Sequence, residues 1–129
     1  MSEKTANGMT KEEKDLQRVA IKAAYKAIDE KFGYDVVILD VSEVSIMAEY
    51  FMIATANSPS QLKAITDAVD TELHKLGITL RHSEGVQSAR WILLDFGGIV
   101  VHLFCKEDRE YYRLERIWGD AKEIKPEDL

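Results

Sequence analysis

His82 and Glu84 lie two residues apart, the spacing that sets two side chains on one strand face, where an imidazole and a carboxylate can exchange a proton. An exposed loop pair without chemistry explains them more simply. His102 and Cys105 are metal-ligating types, but residues three apart on a strand point to opposite faces, so a shared metal would need the strand to break. Asp95-Phe96-Gly97 spells the metal-binding triplet of protein kinases, yet the glycine-rich loop, the catalytic His-Arg-Asp and sufficient chain are missing. A phosphate-binding glycine loop and a helical His-Glu-x-x-His are missing too. His74, beside Leu73 and Lys75 in a helical stretch, reads as surface. The single cysteine, Cys105, cannot form an internal disulfide, which points to a reducing compartment. No catalytic residue, metal or cofactor is expected.

Recognition chemistry is better represented. Residues 91–96, then Gly97-Gly98, then 99–104 read as a β-hairpin, with two glycines to supply the positive φ angles of a tight turn. Phe96 then faces Ile99, Leu94 faces Val101 and Ile92 faces Leu103, a wholly apolar face that must be core. The other face pairs Asp95 with Val100, Leu93 with His102 and Trp91 with Phe104. A longer loop would change partners but not faces, because strand side chains alternate with period two. This mixed face has two readings. A helix covers it and satisfies Asp95 and His102 locally, or it is a partly open partner site with Trp91 and Phe104 as aromatic anchors.

The elements that must position this hairpin are legible in outline. Thr10 opens a helix through a capping box with Glu13, Leu16 to Ile28 carry apolar residues at helical spacing, and Gly33 closes it. Residues 36–41 and 50–56 read as buried strands, with an ambiguous stretch, 42–48, between them. Ser58, Pro59 and Gln61 mark a second helix start, with the stripe Leu62, Ile65, Val69, Leu73, Leu76 and a stop at Gly77. A strand at 78–82 would complete a βαβ crossover. Glu107 and Asp108 begin a final helix, with Tyr111, Leu114 and Trp118 on one side and Arg109, Arg113 and Arg116 on the other, where a solvated face is the simpler reading than phosphate contact. The expected organisation is a mobile tail over 1–9, one domain over 10–119 and a loose acidic tail over 120–129.

The 129 residues are 46% hydrophobic, enough for a core without staples, and no apolar run approaches a membrane span or a secretory signal. A cytoplasmic location is expected. With 17 Lys and Arg against 23 Asp and Glu, the net charge is −6. Gripping phosphates takes displaced counterions and hence basic residues, so direct nucleic-acid binding is disfavoured and a basic protein partner favoured.

Glu84-Gly85, Trp91-Ile92-Leu93-Leu94-Asp95 and Val100-Val101-His102-Leu103-Phe104 together resemble the signature of the Iojap family, known in bacteria as ribosomal silencing factors. The segment from Arg109 to Trp118 resembles the family's closing helix, and Tyr50-Phe51 followed by Asn57-Ser58-Pro59-Ser60-Gln61 its central strand-to-helix joint. The likeness runs from about Leu16 to Ala121. It implies an α/β fold, a mixed sheet of about five strands with flanking helices, similar to nucleotidyltransferases without their catalytic residues. It also implies a non-enzymatic repressor of translation. Such a protein binds the large ribosomal subunit through its fourteenth ribosomal protein, blocks subunit joining, and is often a homodimer when free. Trp91, Leu93, Asp95, His102 and Phe104 would form the partner site, with Glu84 and Tyr112 as further candidates. The sequence departs from the family at Ala54-Thr55-Ala56, where a glycine is usual, at Gly98, where an acid is common, and at Arg113. A nucleotidyltransferase-like enzyme and a large-subunit assembly factor are the competing expectations.

Overall fold

The structure, a computed structural model, describes residues 10–46, 48–108 and 121–129. Helix α1 (Lys11–Glu30) starts where the Thr10 hydroxyl accepts from the Glu13 N–H at 3.1 Å. Its inward stripe is Ala20, Ile21, Ala24, Ala27 and Ile28, and the small alanines allow close approach to the sheet. Strands β1 (Tyr34–Asp40) and β2 (Tyr50–Ala56) pair antiparallel, and β2 leads into α2 (Pro59–Lys75). Strands β3 (His82–Glu84), β4 (Trp91–Asp95) and β5 (Ile99–Cys105) follow, and β6 (Lys122–Ile124) comes last.

The sheet has six strands in the order β3-β4-β5-β2-β1-β6, and only the β2–β5 pair is parallel. Two antiparallel steps separate β3 from β5, so β3 runs in the same direction as β2. The expected crossover through α2 is therefore present, with β5 and β4 inserted between its two strands. Its second strand lies later than expected, at 82–84 instead of 78–82, because in the earlier stretch the ladder to β4 is reduced to the bond from Arg81 N–H to the Asp95 carbonyl at 2.8 Å.

Three other expectations need correction. The sheet has a sixth strand beyond the five anticipated: the segment expected as a loose tail adds β6 to the edge of β1, with Ile124 opposite Ile38 and buried in the core. A short acidic segment is held because one apolar side chain and a strand ladder anchor it. At the end of α1 the left-handed residue is Phe32 (φ 64°), not Gly33. Gly33 is required for another reason, since a Cβ there would meet Ile28 Cγ2 at 2.5 Å. At the start of α2 the Ser58 hydroxyl accepts from Gln61 N–H as expected, but the Gln61 side chain reaches back to the Asn57 N–H at 2.8 Å. Its amide nitrogen also donates to the Lys31 and Phe32 carbonyls, each at 3.0 Å, and so ties the end of α1 to the start of α2.

Both helices cover one sheet face. Ile92, Leu94, Phe96, Ile99, Val101 and Leu103 of the hairpin pack there with Leu62, Ile65, Val69 and Leu73 of α2, as the alternation required. The opposite face carries a second cluster around Leu39, Val41, Ala48, Ile53 and Phe104. Residues 106–108 are helical, where the closing helix is expected to begin; the rest of it, including Arg109, Tyr112, Arg113 and Arg116, falls outside the described residues, as does the segment 1–9.

Two glycines that shape the hairpin region should respond differently to alanine. At Gly85 (φ 77°) a methyl group would fall on the Trp91 carbonyl oxygen, a backbone obstacle, on top of left-handed strain. Gly85→Ala is expected to cost about 2 kcal/mol or more in urea denaturation. At Gly98 the obstacles are Gln17 Nε2 and Glu49 Oε2, the ends of flexible side chains, so Gly98→Ala should cost below about 1 kcal/mol. Equal losses would refute this placement of the β3–β4 turn.

Candidate functional site

The turn between β4 and β5 is two residues long, closed by the Phe96 N–H on the Ile99 carbonyl at 2.9 Å. Only Gly97 has positive φ, 96°, the pattern of a II′ turn. Gly98 has no positive φ and lies beside the side-chain ends of Gln17 and Glu49. The register is the one the sequence implied: Trp91 opposite Phe104, Leu93 opposite His102 and Asp95 opposite Val100.

Directly opposed residues share a face, so the ladder assembles the candidate residues in rows across the sheet. One row runs Glu84, Leu93, His102, Ile53 and Val37; the next runs His82, Asp95, Val100 and Phe51. Trp91 and Phe104 form a third. The sheet thus brings together six of the seven expected partner-site residues; Tyr112 is outside the described residues. His82 and Glu84 share the face as well, with His82 Nε2 3.2 Å from Glu84 Oε1 and both side chains exposed.

Burial divides the group. Phe104 is 0% exposed and His102 6%, whereas Trp91, Leu93 and Asp95 are half-buried and Glu84 is exposed. Phe104 is therefore not an open anchor. It is the platform on which the Trp91 ring stacks, centroids 5.0 Å apart and planes at 26°. His102 fixes the other edge of that ring: Trp91 Nε1–H donates to His102 Nδ1 at 3.3 Å. An acceptor Nδ1 places the neutral imidazole's proton on Nε2, and that atom is buried without a partner. Phe51 meets His102 edge-on, centroids 5.2 Å apart. Phe51 was not singled out from the sequence, although its place between core-facing Tyr50 and Met52 assigns it to this face.

Backbone on the approach to β4 is also constrained. Ala89, buried, adopts φ 52°, a conformation an L-residue takes at a cost of about 1 kcal/mol. Its N–H bonds the Gly85 carbonyl at 2.9 Å and its own carbonyl accepts from the Cys105 thiol at 3.2 Å. Burial pushes that thiol's pKa up, with Asp108 and Glu107 adding to the effect, so Cys105 is a packing residue. It also faces the helix-side core, away from His102. At the far end of β4, Asp95 Oδ1 accepts from the Gly97 N–H at 2.8 Å, which orients the carboxylate at the turn. The arrangement offers a fixed indole, an aliphatic side chain and an oriented carboxylate on one sheet face. That suits apolar contact plus a charge-assisted bond to a cation.

Burial pulls His102 down to a pKa of about 4 from 6.5. The unfolded chain takes up this proton more readily, so the contribution is intact above pH 6.5 and is lost as pH falls to about 4. The loss amounts to about 3 kcal/mol. Urea denaturation across this range should show His102→Asn, which keeps an acceptor for Trp91, losing less stability than the unaltered chain by roughly that amount. Parallel curves would remove His102 as the source.

The family described as "Ribosomal silencing factor during starvation" matches residues 13–129. A ribosomal silencing factor of Bacillus subtilis is 41% identical over 105 residues, covering 81% of this chain and 89% of its own. The chloroplast protein Iojap of Arabidopsis thaliana is 35% identical over 81% of this chain, which spans 43% of that longer protein. A crystal structure from Chromobacterium violaceum superposes with a TM-score of 0.77 at 33% identity, covering 79% of this chain and 85% of that one. One from Bacillus halodurans gives 0.73 at 34% identity, over 84% and 98%. With this sheet order, this hairpin and these matches across most of its length, the chain belongs to the ribosomal silencing factor family.

Proposed function

We propose that this protein represses translation by binding and not by turnover. Its hairpin face docks on a basic protein of the large ribosomal subunit, the fourteenth in the standard naming, where the small subunit would otherwise meet it. The bound protein then blocks subunit joining sterically. The observation that carries this reading is the half-buried trio Trp91, Leu93 and Asp95 on the face opposite the helices, held from beneath by Phe104 and His102. A rigid indole on an aromatic base loses little entropy on binding, and Asp95 supplies a carboxylate for an arginine or lysine. The net charge of −6 matches a basic protein and opposes contact with RNA phosphates. No described helix is long and apolar enough to cross a membrane, in keeping with work on ribosomes in the cytoplasm.

Light scattering of purified subunits at joining conditions tests the proposal. Preloading large subunits with the protein should suppress the rise in scattering. A normal rise with continued co-sedimentation would mean a ribosome binder of another kind; a normal rise without co-sedimentation would defeat the reading. Asp95→Lys and Trp91→Ala should each weaken large-subunit binding by about thirtyfold or more. Unchanged circular dichroism must accompany both, and normal binding by both would displace the site from the hairpin.

A further inference from the structure

The loop between β1 and β2 projects two aliphatic side chains into solvent. Ile46 is 102% exposed and Val44 42%. Scattered surface aliphatics are ordinary, but this loop is braced. Asp40 Oδ1 accepts from the Ser42 N–H at 3.0 Å and from its hydroxyl at 2.6 Å. The Val41 carbonyl accepts from the N–H groups of Val44 and Ser45, at 3.0 and 2.8 Å. The Ser45 hydroxyl accepts from the Ala48 N–H at 3.4 Å, and Val41 N–H closes the base on the Glu49 carbonyl at 2.8 Å. These bonds brace the described residues on either side of position 47 while leaving Val44 and Ile46 in water.

The base of the loop belongs to the same cluster as the hairpin platform: Val41 and Ala48 are buried with Phe104, and Trp91, Phe51 and Val100 pack against that cluster. A stable protein interface takes roughly 800 Å² from each partner, some 20–30 residues. The outward residues of β4 alone, Trp91, Leu93 and Asp95, fall well short of that, so a partner docked there must extend sideways. Toward β3 the surface is polar and exposed, His82, Ser83 and Glu84. Toward β5 and β2 it continues through Val100 and Phe51 to the loop. Glu43, exposed beside Val44, gives the tip the acidic-and-apolar character that suits a basic protein, while the Glu49 carboxylate is taken up by Gln17 of α1.

Building on the proposed ribosomal role, we infer that Val44 and Ile46 form a second contact point. They seat in an apolar depression of the same basic large-subunit protein that receives Trp91. The loop and the hairpin then grip the partner at two separated places, which fixes its orientation as well as its position.

Co-sedimentation with purified large subunits over a range of protein concentrations tests this. Ile46→Ser should weaken binding about tenfold, and Val44→Ser with Ile46→Ser further, with the melting temperature unchanged because these side chains are exposed. Wild-type binding, loss on Trp91→Ala and unaltered binding by both serine variants would overturn the inference and leave the hairpin reading standing. Failure of the wild-type protein to bind would sink both. A loop substitution that shifts the free protein's mass in sedimentation equilibrium but not its subunit binding would make the loop's partner a second copy, and would overturn the inference as well.

Discussion

The parallel ladder between β2 and β5 spans seven residue pairs, from Tyr50 with Ile99 to Ala56 with Cys105. Parallel neighbours cannot be joined by a tight turn, so the chain must leave β2, cross the sheet and return. Here the detour holds α2, β3 and β4, and β4 then reaches β5 by a two-residue turn. Every feature of the hairpin face follows from that. The crossover lays α2 beside α1 on one face only, and the return places β4 and β3 outside β5. The opposite face is left to aromatic and mixed side chains. Alternation then decides which residues go where: Tyr50, Met52, Ala54 and Ala56 go under the helices, with Phe51 and Ile53 on the far side.

On that far side the local chemistry is organised by a cost. A buried imidazole with one orphaned nitrogen is unfavourable by roughly 1–3 kcal/mol. The bond it makes with its other nitrogen cannot offset all of this, and an apolar residue would pack there without the penalty. What the imidazole supplies is an acceptor at one place, which stops the Trp91 ring from turning about its stack on Phe104. Stacking alone fixes the plane of an indole; the hydrogen bond fixes its rotation within that plane. The strained Ala89 and the tight Gly85 turn act in the same direction, since both set the backbone from which Trp91 departs. Stability is spent in several places on the pose of one side chain.

Period-two and period-3.6 patterns were enough to recover the two helices, the central strands, and the hairpin with its register, because each buries one continuous apolar stripe. The short edge strands were not recoverable that way. β3 is exposed at all three positions, and β6 has one buried residue in three, so neither carries a pattern. They exist because a long neighbour offers them a ladder, which is a tertiary effect. Glycine chemistry was legible in kind but not in assignment. Gly97-Gly98 announced a turn, yet only Gly97 needs its freedom of φ; Gly98 borders the side-chain ends of Gln17 and Glu49, which arrive from distant segments and can give way. Among the site residues, alternation placed Phe104 and His102 on the right face and said nothing of how deeply they would be buried. Depth depends on what else packs on that face, and local sequence does not encode it.

On the reading that this face meets the ribosome, the acidic balance takes on a positive role. A ribosomal surface is mostly phosphate, and a chain of net charge −6 is repelled by it nearly everywhere within a screening length of about 8 Å. Attraction survives only where basic protein reaches the surface. Repulsion from the wrong surface and attraction to the right one act together, and the first needs no shape complementarity at all. Affinity at the correct place then rests on the fixed indole, the oriented Asp95 carboxylate and the aliphatic loop tip. Such a protein needs no basic patch and no catalytic group to stop two large particles from joining; it needs a rigid face, a charge that keeps it off RNA, and bulk where the second particle would sit.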